Sequence, residues 1–173
     1  MFNNSTTLQE FKQVMNIPLA IIIASGIIII ITTNMTDSNG LSALLSGYAG
    51  LFLGILFVLI ISLTFTTITY LDMFPVVMIL IIVGLLIFYL YTYFDRISKG
   101  EVSSYYSNFS LLSTIFLAAQ VFVIFTTISN RTQEQNSKLF SDTTFSLLGL
   151  FSVINFLIVL TIGVVLHFYS TQG

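Results

Sequence analysis

The apolar run from Leu41 to Phe94 constrains the fold of this chain more than any other feature, because its only charged side chain is Asp72. As one helix the run would be about 80 Å long, whereas the hydrocarbon core of a bilayer is about 30 Å thick. The run must therefore fold back once, and the sequence has to supply a turn within it.

The stretch TYLDMFP at residues 69–75 is the best place for that turn. Asp72 can cap the N-terminus of the next helix, because its carboxylate accepts bonds from free amides and suits the positive end of the helix dipole. Pro75 then falls in the first helical turn, where a missing N–H is tolerated. The alternative is an intramembrane carboxylate that handles ions or protons, since a charge at mid-membrane is too costly to keep without a function. The length of the run favours the turn.

The composition indicates the environment in which the chain folds. It is 56% hydrophobic and 7% charged, whereas a soluble domain carries about 25% charged residues. The sequence therefore predicts an integral membrane protein surrounded by the lipid bilayer. Five basic residues and a formal net charge of −2 argue against nucleic-acid binding, which needs clustered Lys and Arg.

Five apolar runs are long enough to cross a membrane, given that a span needs about 20 residues. They cover residues 17–33, 44–68, 74–94, 110–128 and 145–168. Short polar stretches at 34–40, 95–108 and 130–142 connect them. No cleavage site of small residues follows the first run, so we expect it to be retained as a span. The predicted fold is an all-α, polytopic transmembrane helix bundle that forms one domain over residues 17–170.

The segment before the first span, residues 1–16, is more polar. Thr7 and Glu10 have the spacing of a capping box. An apolar face follows at helical spacing, made of Leu8, Phe11 and Met15. The pattern predicts a short interfacial amphipathic helix that lies on the membrane surface. The alternative is a frayed tail.

Span two carries a face of small side chains at helical spacing, the small-residue face, made of Ala43, Gly47, Gly50 and Gly54. Small residues let the backbone of another helix approach closely, which replaces the hydrophobic drive that is missing between helices in lipid. This face predicts either packing within the bundle or an interface with a partner or a second copy of the chain.

The second half of span two is rich in hydroxyl groups: Ser62, Thr64, Thr66, Thr67 and Thr69. They are either a polar lining for a water path or side chains that bond back to carbonyls one turn earlier. These residues alternate along the chain and do not keep to one helical face, which favours the second interpretation.

Gln120 in span four and Asn155 in span five are the strongly polar side chains deep in the apolar runs. Because an amide in hydrocarbon needs a partner, we expect them to bond each other across neighbouring helices or to bond a neighbouring subunit. Contacts that hold helices together are the expected role, since a substrate site would have more polar groups nearby.

The sequence predicts no catalytic, cofactor-binding or metal site. With the turn at 69–75, no charged residue falls inside a predicted span, whereas proton pumps and ion-coupled transporters carry such charges. The absence of Cys and the presence of one His exclude thiolate and multi-histidine metal sites from this chain alone. The polar stretches lack the paired acids or Ser/His pair of a hydrolase, so an enzyme is not expected.

The second half reads FLAAQVFVIFTTISNRTQEQNSK at 116–138 and then LLGLFSVINFLIVLTIGVVLHFYSTQG at 147–173. Over roughly residues 110–173, this layout resembles small multi-pass membrane proteins of the large nucleocytoplasmic DNA viruses of algae and protists. The resemblance implies a protein of the virion's internal membrane that contacts the capsid, with no catalytic residues. In length and number of spans the chain is also similar to small hydrophobic subunits of respiratory complexes. The closest such family has a glycine-rich third span, however, and Gly84 is the only glycine of span three here.

These features predict a non-enzymatic, structural component of a membrane assembly. Its expected partners are other membrane or capsid proteins, or further copies of itself. The alternatives are an accessory subunit of a respiratory or transport complex and a small oligomeric channel lined by the hydroxyls of span two.

Overall fold

The computed structural model describes residues 5–35, 37–66, 72–100, 103–131 and 139–172. Seven helices follow one another in these residues: α1 (Ser5–Val14), α2 (Asn16–Thr32), α3 (Ser38–Phe65), α4 (Phe74–Thr92), α5 (Phe94–Ser98), α6 (Ser103–Ser129) and α7 (Asp142–Gln172). Five stretches in this part of the chain are long and apolar enough to cross a membrane, namely Thr7–Thr32, Ser38–Phe65, Phe74–Thr92, Tyr105–Ser129 and Asp142–Tyr169. The predicted all-α bundle of five spans is confirmed, and the chain is a multi-pass integral membrane protein.

α1 runs almost directly into α2. The backbone keeps its helical hydrogen bonds through Met15, whose N–H donates to Phe11 O at 3.0 Å and whose carbonyl accepts from Leu19 N at 3.2 Å. The short break between α1 and α2 reflects Pro18, which has no N–H to donate to the carbonyl of Val14. α1 and α2 are therefore nearly continuous, and the candidate first span takes in most of α1 as Thr7–Thr32.

The apolar face of α1 lies against the protein. Leu8, Phe11 and Met15 are all buried, and the Phe11 ring contacts that of Phe65 at the end of α3, with 6.3 Å between ring centroids. The bundle itself therefore covers this face, and the segment is a helix and not a frayed tail. A position of α1 at the membrane surface stays a prediction.

The turn between α3 and α4 falls at the predicted break. α3 ends at Phe65 and α4 begins at Phe74, with Pro75 in its first turn. Residues 67–71 lie outside the described part of the chain. Because the first N–H groups of a helix have no partner within it, proline at this position costs α4 no hydrogen bond.

The cap of α4 is Met73, one residue after the predicted Asp72. The Met73 carbonyl accepts the first bonds of the helix, from Val76 N at 3.0 Å and Val77 N at 3.1 Å. The Met73 side chain is fully buried, so this residue fastens the turn to the core. Asp72 lies in the turn immediately before Met73, and the capping role of its carboxylate stays a prediction.

α6 begins at Ser103, well before the predicted start of span four at residue 110. The predicted loop at 95–108 instead contains α5 and the first turns of α6. Gly100 lies between the two helices with a φ of 82°, in the left-handed region that glycine adopts without strain. The start of α6 is polar in sequence, yet Tyr106 on its inner face is buried, so packing extends the helix beyond the apolar run.

The five spans pack as a ring in which α2 lies on α3, α3 on α4, α4 on α7, and α7 on α6. A much smaller contact between α6 and α2 closes the ring. Consecutive spans run in opposite directions, so the connections between them alternate between the two ends of the bundle. One, the Lys12 end, holds α1 and the last turns of α3 and α6. The other, the Tyr106 end, holds α5 and the first turns of α3 and α6.

Candidate functional site

The inward face of α6 carries polar side chains at the spacing of one helical stripe. The stripe consists of Tyr106, Ser110, Ser113 and Gln120, all of them buried. Steps of four, three and seven residues put these side chains on one side of the helix. They bring hydroxyl and amide groups into an otherwise apolar core, where each needs a partner because an unpaired polar group is costly in hydrocarbon.

Asn155 of α7 finds its partner on this polar stripe. Ser113 Oγ donates to Asn155 Oδ1 at 2.6 Å, and Asn155 Nδ2 donates to the Ser113 carbonyl at 3.3 Å. Both side chains are fully buried. The pair therefore joins α6 to α7 by two hydrogen bonds that use both the oxygen and the nitrogen of the amide.

Gln120 joins the same two helices about two turns further along α6. Its Nε2 donates to Ser152 Oγ at 2.7 Å. Its Oε1 is buried and has no hydrogen-bond partner within the described residues. Each amide thus bonds a serine of the facing helix, and the amide–amide bond that was one of the expected arrangements does not form among these residues.

A third polar contact ties α6 to α3 near the Tyr106 end. The Tyr48 hydroxyl lies 2.6 Å from Ser110 Oγ and 3.4 Å from Thr114 Oγ1. Thr114 Oγ1 donates to the Ser110 carbonyl at 2.8 Å. The Tyr106 hydroxyl is buried and makes no hydrogen bond to the residues that the structure describes. These hydroxyls form an internal cluster that fixes α3 against α6.

The small-residue face of α3 lies against α2. A Cβ added at Gly47 would come within 2.8 Å of Ile29 Cγ1, and one added at Gly54 within 2.6 Å of Ile22 Cγ1. Real Cβ atoms do not approach other atoms so closely, so a side chain at either position would push α2 away. The two helices meet along this face within one chain.

Gly50 lies between those two positions and faces Ser25. An added Cβ would collide with the Ser25 hydroxyl oxygen and would lie 3.4 Å from Ser25 Cβ. Ser25 is buried in the middle of α2. Ala43, the first residue of the predicted face, is half-buried near the start of α3. The close approach of α2 and α3 therefore runs along about two turns of α3, from Gly47 to Gly54.

The hydroxyls near the end of α3 bond mostly to their own helix. Thr64 Oγ1 donates to Ile60 O at 2.7 Å, and Thr66 Oγ1 donates to Ser62 O. Ser62 Oγ is buried without a hydrogen-bond partner in the part of the chain that is described. The other two residues of the predicted set, Thr67 and Thr69, lie outside the described residues. Back-bonding of this kind satisfies a threonine in an apolar helix whichever way it faces.

Charged side chains at the Lys12 end bond to backbone carbonyls. Lys12 Nζ donates to Ser129 O at 3.0 Å, which places a cation at the negative end of the α6 dipole. Arg131 Nη1 donates to the Leu139 carbonyl at 3.1 Å. Desolvation by burial lowers the pKa of the Arg131 guanidinium from its ordinary value, but an arginine keeps its charge under such a shift. No group of three His, Cys, Asp or Glu side chains within the described ranges could hold a metal ion.

The sequence analysis identified both amides and missed the serines that bond them. Ser113 lies two turns before Gln120, and Ser152 lies three residues before Asn155, so each helix carries an amide and a serine on one face. Because α6 and α7 are antiparallel, each amide meets the serine of the other helix. The shared order, a serine before an amide on each of two antiparallel helices, is a signal in the sequence. Tyr48 offers no such signal, because its partners lie on a helix far away in the chain.

No protein-family model, curated protein or solved structure matches the chain. Its class as an integral, multi-pass membrane protein therefore rests on the five apolar helices. A more specific function has to be argued from the contacts between those helices and from the space they leave.

Proposed function

We propose that this chain is a non-enzymatic, structural component of a membrane assembly. The observation that carries the proposal is the pairing of the buried amides across α6 and α7, Asn155 with Ser113 and Gln120 with Ser152. Polar groups paired in this way hold helices together in lipid, where the hydrophobic drive between helices is missing. Groups that bind a substrate would instead converge on an open pocket.

The groove between α2 and α6, about 470 Å³ in volume, also supports a non-enzymatic role. No titratable side chain lines it, and its hydroxyl residues are Thr114 and Thr126. Each of these donates to a carbonyl one turn earlier, at 2.8 Å and 2.7 Å respectively. A reaction needs an acid, a base, a nucleophile or a metal in reach of its substrate, and the lining of this groove supplies none.

The setting we propose is the internal membrane of a virion, on the resemblance of residues 110–173 alone. Capsid or membrane partners would contact the ends of the bundle, where charged side chains such as Asp37, Asp95 and Arg96 lie. An accessory subunit of a respiratory or transport complex would have the same kind of bundle and would differ in its companions. The identity of those companions therefore separates the two.

The companions can be identified directly. The native membrane is extracted in mild detergent, complexes are separated by size, and co-migrating proteins are identified by mass spectrometry. We expect other membrane proteins or capsid proteins at fixed stoichiometry, whereas respiratory or transport subunits would support the alternative setting. A chain that migrates alone as a defined oligomer would contradict the proposal. Reconstituted conductance that disappears on Thr64→Val would then identify a channel.

A further inference from the structure

The small contact between α2 and α6 leaves a groove that opens sideways, toward lipid. Its rim is formed by Ile23 and Ile30 of α2 and Phe122 of α6, which are 54%, 63% and 71% exposed. Leu51 of α3, which is buried, lies at its floor. A volume of about 470 Å³ falls within the range of about 300–1,000 Å³ for pockets that hold one small ligand.

Two small residues on opposite walls keep the middle of the groove open. They are Gly26 on α2 and Ala118 on α6. A Cβ added at Gly26 would meet no atom within 4 Å. Gly26 thus differs from the glycines of the small-residue face, because the space beside it is empty and not filled by a neighbouring helix.

Polar contacts close the gap between these helices beyond both ends of the groove. At the Lys12 end, the Lys12 ammonium bonds Ser129 O at 3.0 Å. At the Tyr106 end, Ser107 Oγ donates to Thr33 O at 3.1 Å. α6 is therefore tied to α1 at one end of the groove and to the C-terminal end of α2 at the other, and the groove is a cleft of fixed length between the two contacts.

The length of the groove separates its possible occupants. Along α6 it runs from Thr114 to Thr126, which is about 18 Å at the rise of an α-helix. The hydrocarbon core is about 30 Å thick, so the acyl chains of one leaflet fill about 15 Å. The groove matches that depth, whereas a transmembrane helix of a partner or of a second copy would need a face as long as the whole core.

The leaflet concerned is the one at the Lys12 end. Thr126 lies less than one turn from the end of α6 at Ser129, and the Ser129 carbonyl holds the Lys12 ammonium. This bond uses one of three N–H donors of the ammonium, so the others can donate to phosphate oxygens. Basic pockets between transmembrane helices bind phospholipid head groups.

We propose that the groove between α2 and α6 binds one acyl chain of a phospholipid whose phosphate is held by Lys12. The apolar walls take the chain, and the cation at the end of the groove takes the head group. An anionic phospholipid binds more tightly than a zwitterionic one, because the Lys12 ammonium contributes positive charge near the phosphate.

The test counts phosphatidylglycerol bound to the full chain in mild detergent, by native mass spectrometry, with phosphatidylcholine as the comparison. We expect one phosphatidylglycerol to stay bound to the wild type. Gly26→Leu fills the groove and is expected to lose this lipid, as is Ala118→Leu on the opposite wall. Gly149→Leu on α7 is the matched control, because a Cβ there also meets no atom within 4 Å, and it is expected to keep the lipid.

Charge variants test the head-group contact separately. Lys12→Gln is expected to weaken phosphatidylglycerol binding about fivefold, which corresponds to the loss of one cation at a membrane surface. Lys12→Arg keeps the charge and is expected to bind as the wild type does. Lys99→Gln removes a cation at the Tyr106 end and is expected to change nothing.

Three results would overturn the proposal. One is equal binding of phosphatidylglycerol by the wild type and the groove-filling variants. Another is equal binding by the wild type and Lys12→Gln. The third is a lipid-free wild-type dimer that Gly26→Leu dissociates, because the occupant would then be a second copy. Circular dichroism melting checks that each variant is folded; if Gly26→Leu is not, Ala118→Leu decides.

Discussion

The seam between α2 and α3 and the seam between α6 and α7 hold their helices in different ways. In the first, three glycines of the small-residue face bring the backbone of α3 close to α2. In the second, two amide–serine pairs cross between helices inside the core. Both replace the hydrophobic drive that lipid removes. The comparison teaches that a glycine seam should fail when volume is added, whereas a polar seam should fail when one partner of a pair is removed.

The largest effect is expected from adding volume to the glycine seam. Gly54→Leu should lower the free energy of unfolding by about 1–3 kcal/mol or more, because even a Cβ would come within 2.6 Å of Ile22 Cγ1. Gly149→Leu on α7 is the matched control, because no atom lies within 4 Å of a Cβ added there. Thermal unfolding in detergent measures both. Equal melting temperatures for the two variants would contradict the claim that the seam between α2 and α3 fails when volume is added.

The Ser113–Asn155 pair should show energetic coupling. We expect a double-mutant cycle of Ser113→Ala and Asn155→Leu to give a coupling free energy of about 0.6–1.7 kcal/mol, the range for hydrogen bonds between membrane helices. Unfolding by a denaturing detergent provides the four free energies. Simple additivity would mean that the two bonds between these residues do not stabilise the seam.

The Gln120–Ser152 pair should matter less than the Ser113–Asn155 pair. Gln120 makes one hydrogen bond in place of two, and burial of its Oε1 without a described partner already costs free energy. We expect Gln120→Met to cost about 0.5 kcal/mol or less, since Ser152 can turn to a carbonyl of its own helix. The same unfolding measurement ranks it against Asn155→Leu. A larger loss for Gln120→Met would reverse the order of the two pairs.

The tyrosine cluster contains the variant with the smallest expected effect, Tyr106→Phe, beside one with a measurable cost, Tyr48→Phe. Tyr48→Phe removes a hydroxyl that lies 2.6 Å from Ser110 Oγ and should cost about 0.5–1.5 kcal/mol. Tyr106→Phe removes a hydroxyl without a described partner and should leave the melting temperature unchanged or slightly raised. Equal losses for the two variants would show that the Tyr106 hydroxyl is paired as well.

The number of spans and the position of the turn could be predicted from sequence because the thickness of the bilayer limits both. The run from Leu41 to Phe94 had to fold back, and it does so at the predicted stretch. The start of α6 could not be predicted in this way. Its first turns are polar and look like a loop, and they become helical because Tyr106 packs into the core. The cap at Met73 also depends on burial that sequence spacing does not reveal.

The contacts of the candidate site could also be predicted from the sequence only in part. The spacing of Gly47, Gly50 and Gly54 shows that another helix can approach this face of α3, but spacing alone does not say which helix. Gln120 and Asn155 can be identified from hydropathy, because they are strongly polar side chains within apolar runs. The serines that bond them cannot be identified in this way, because single serines are common in membrane helices. Local pattern therefore predicts which groups need a partner, and tertiary packing decides who the partner is.

A cross-link between α2 and α3 tests most directly whether the bundle packs on itself as described. The chain has no cysteine, so Ser25→Cys and Gly50→Cys together create the only pair. Ser25 Cβ lies 3.4 Å from a Cβ built at Gly50, close to the separation of about 3.8 Å in a disulfide. We predict that oxidation in the membrane cross-links the double variant within one chain and leaves both single variants monomeric. Cross-linked dimers of Gly50→Cys alone would contradict the account, because the small-residue face would then join two copies.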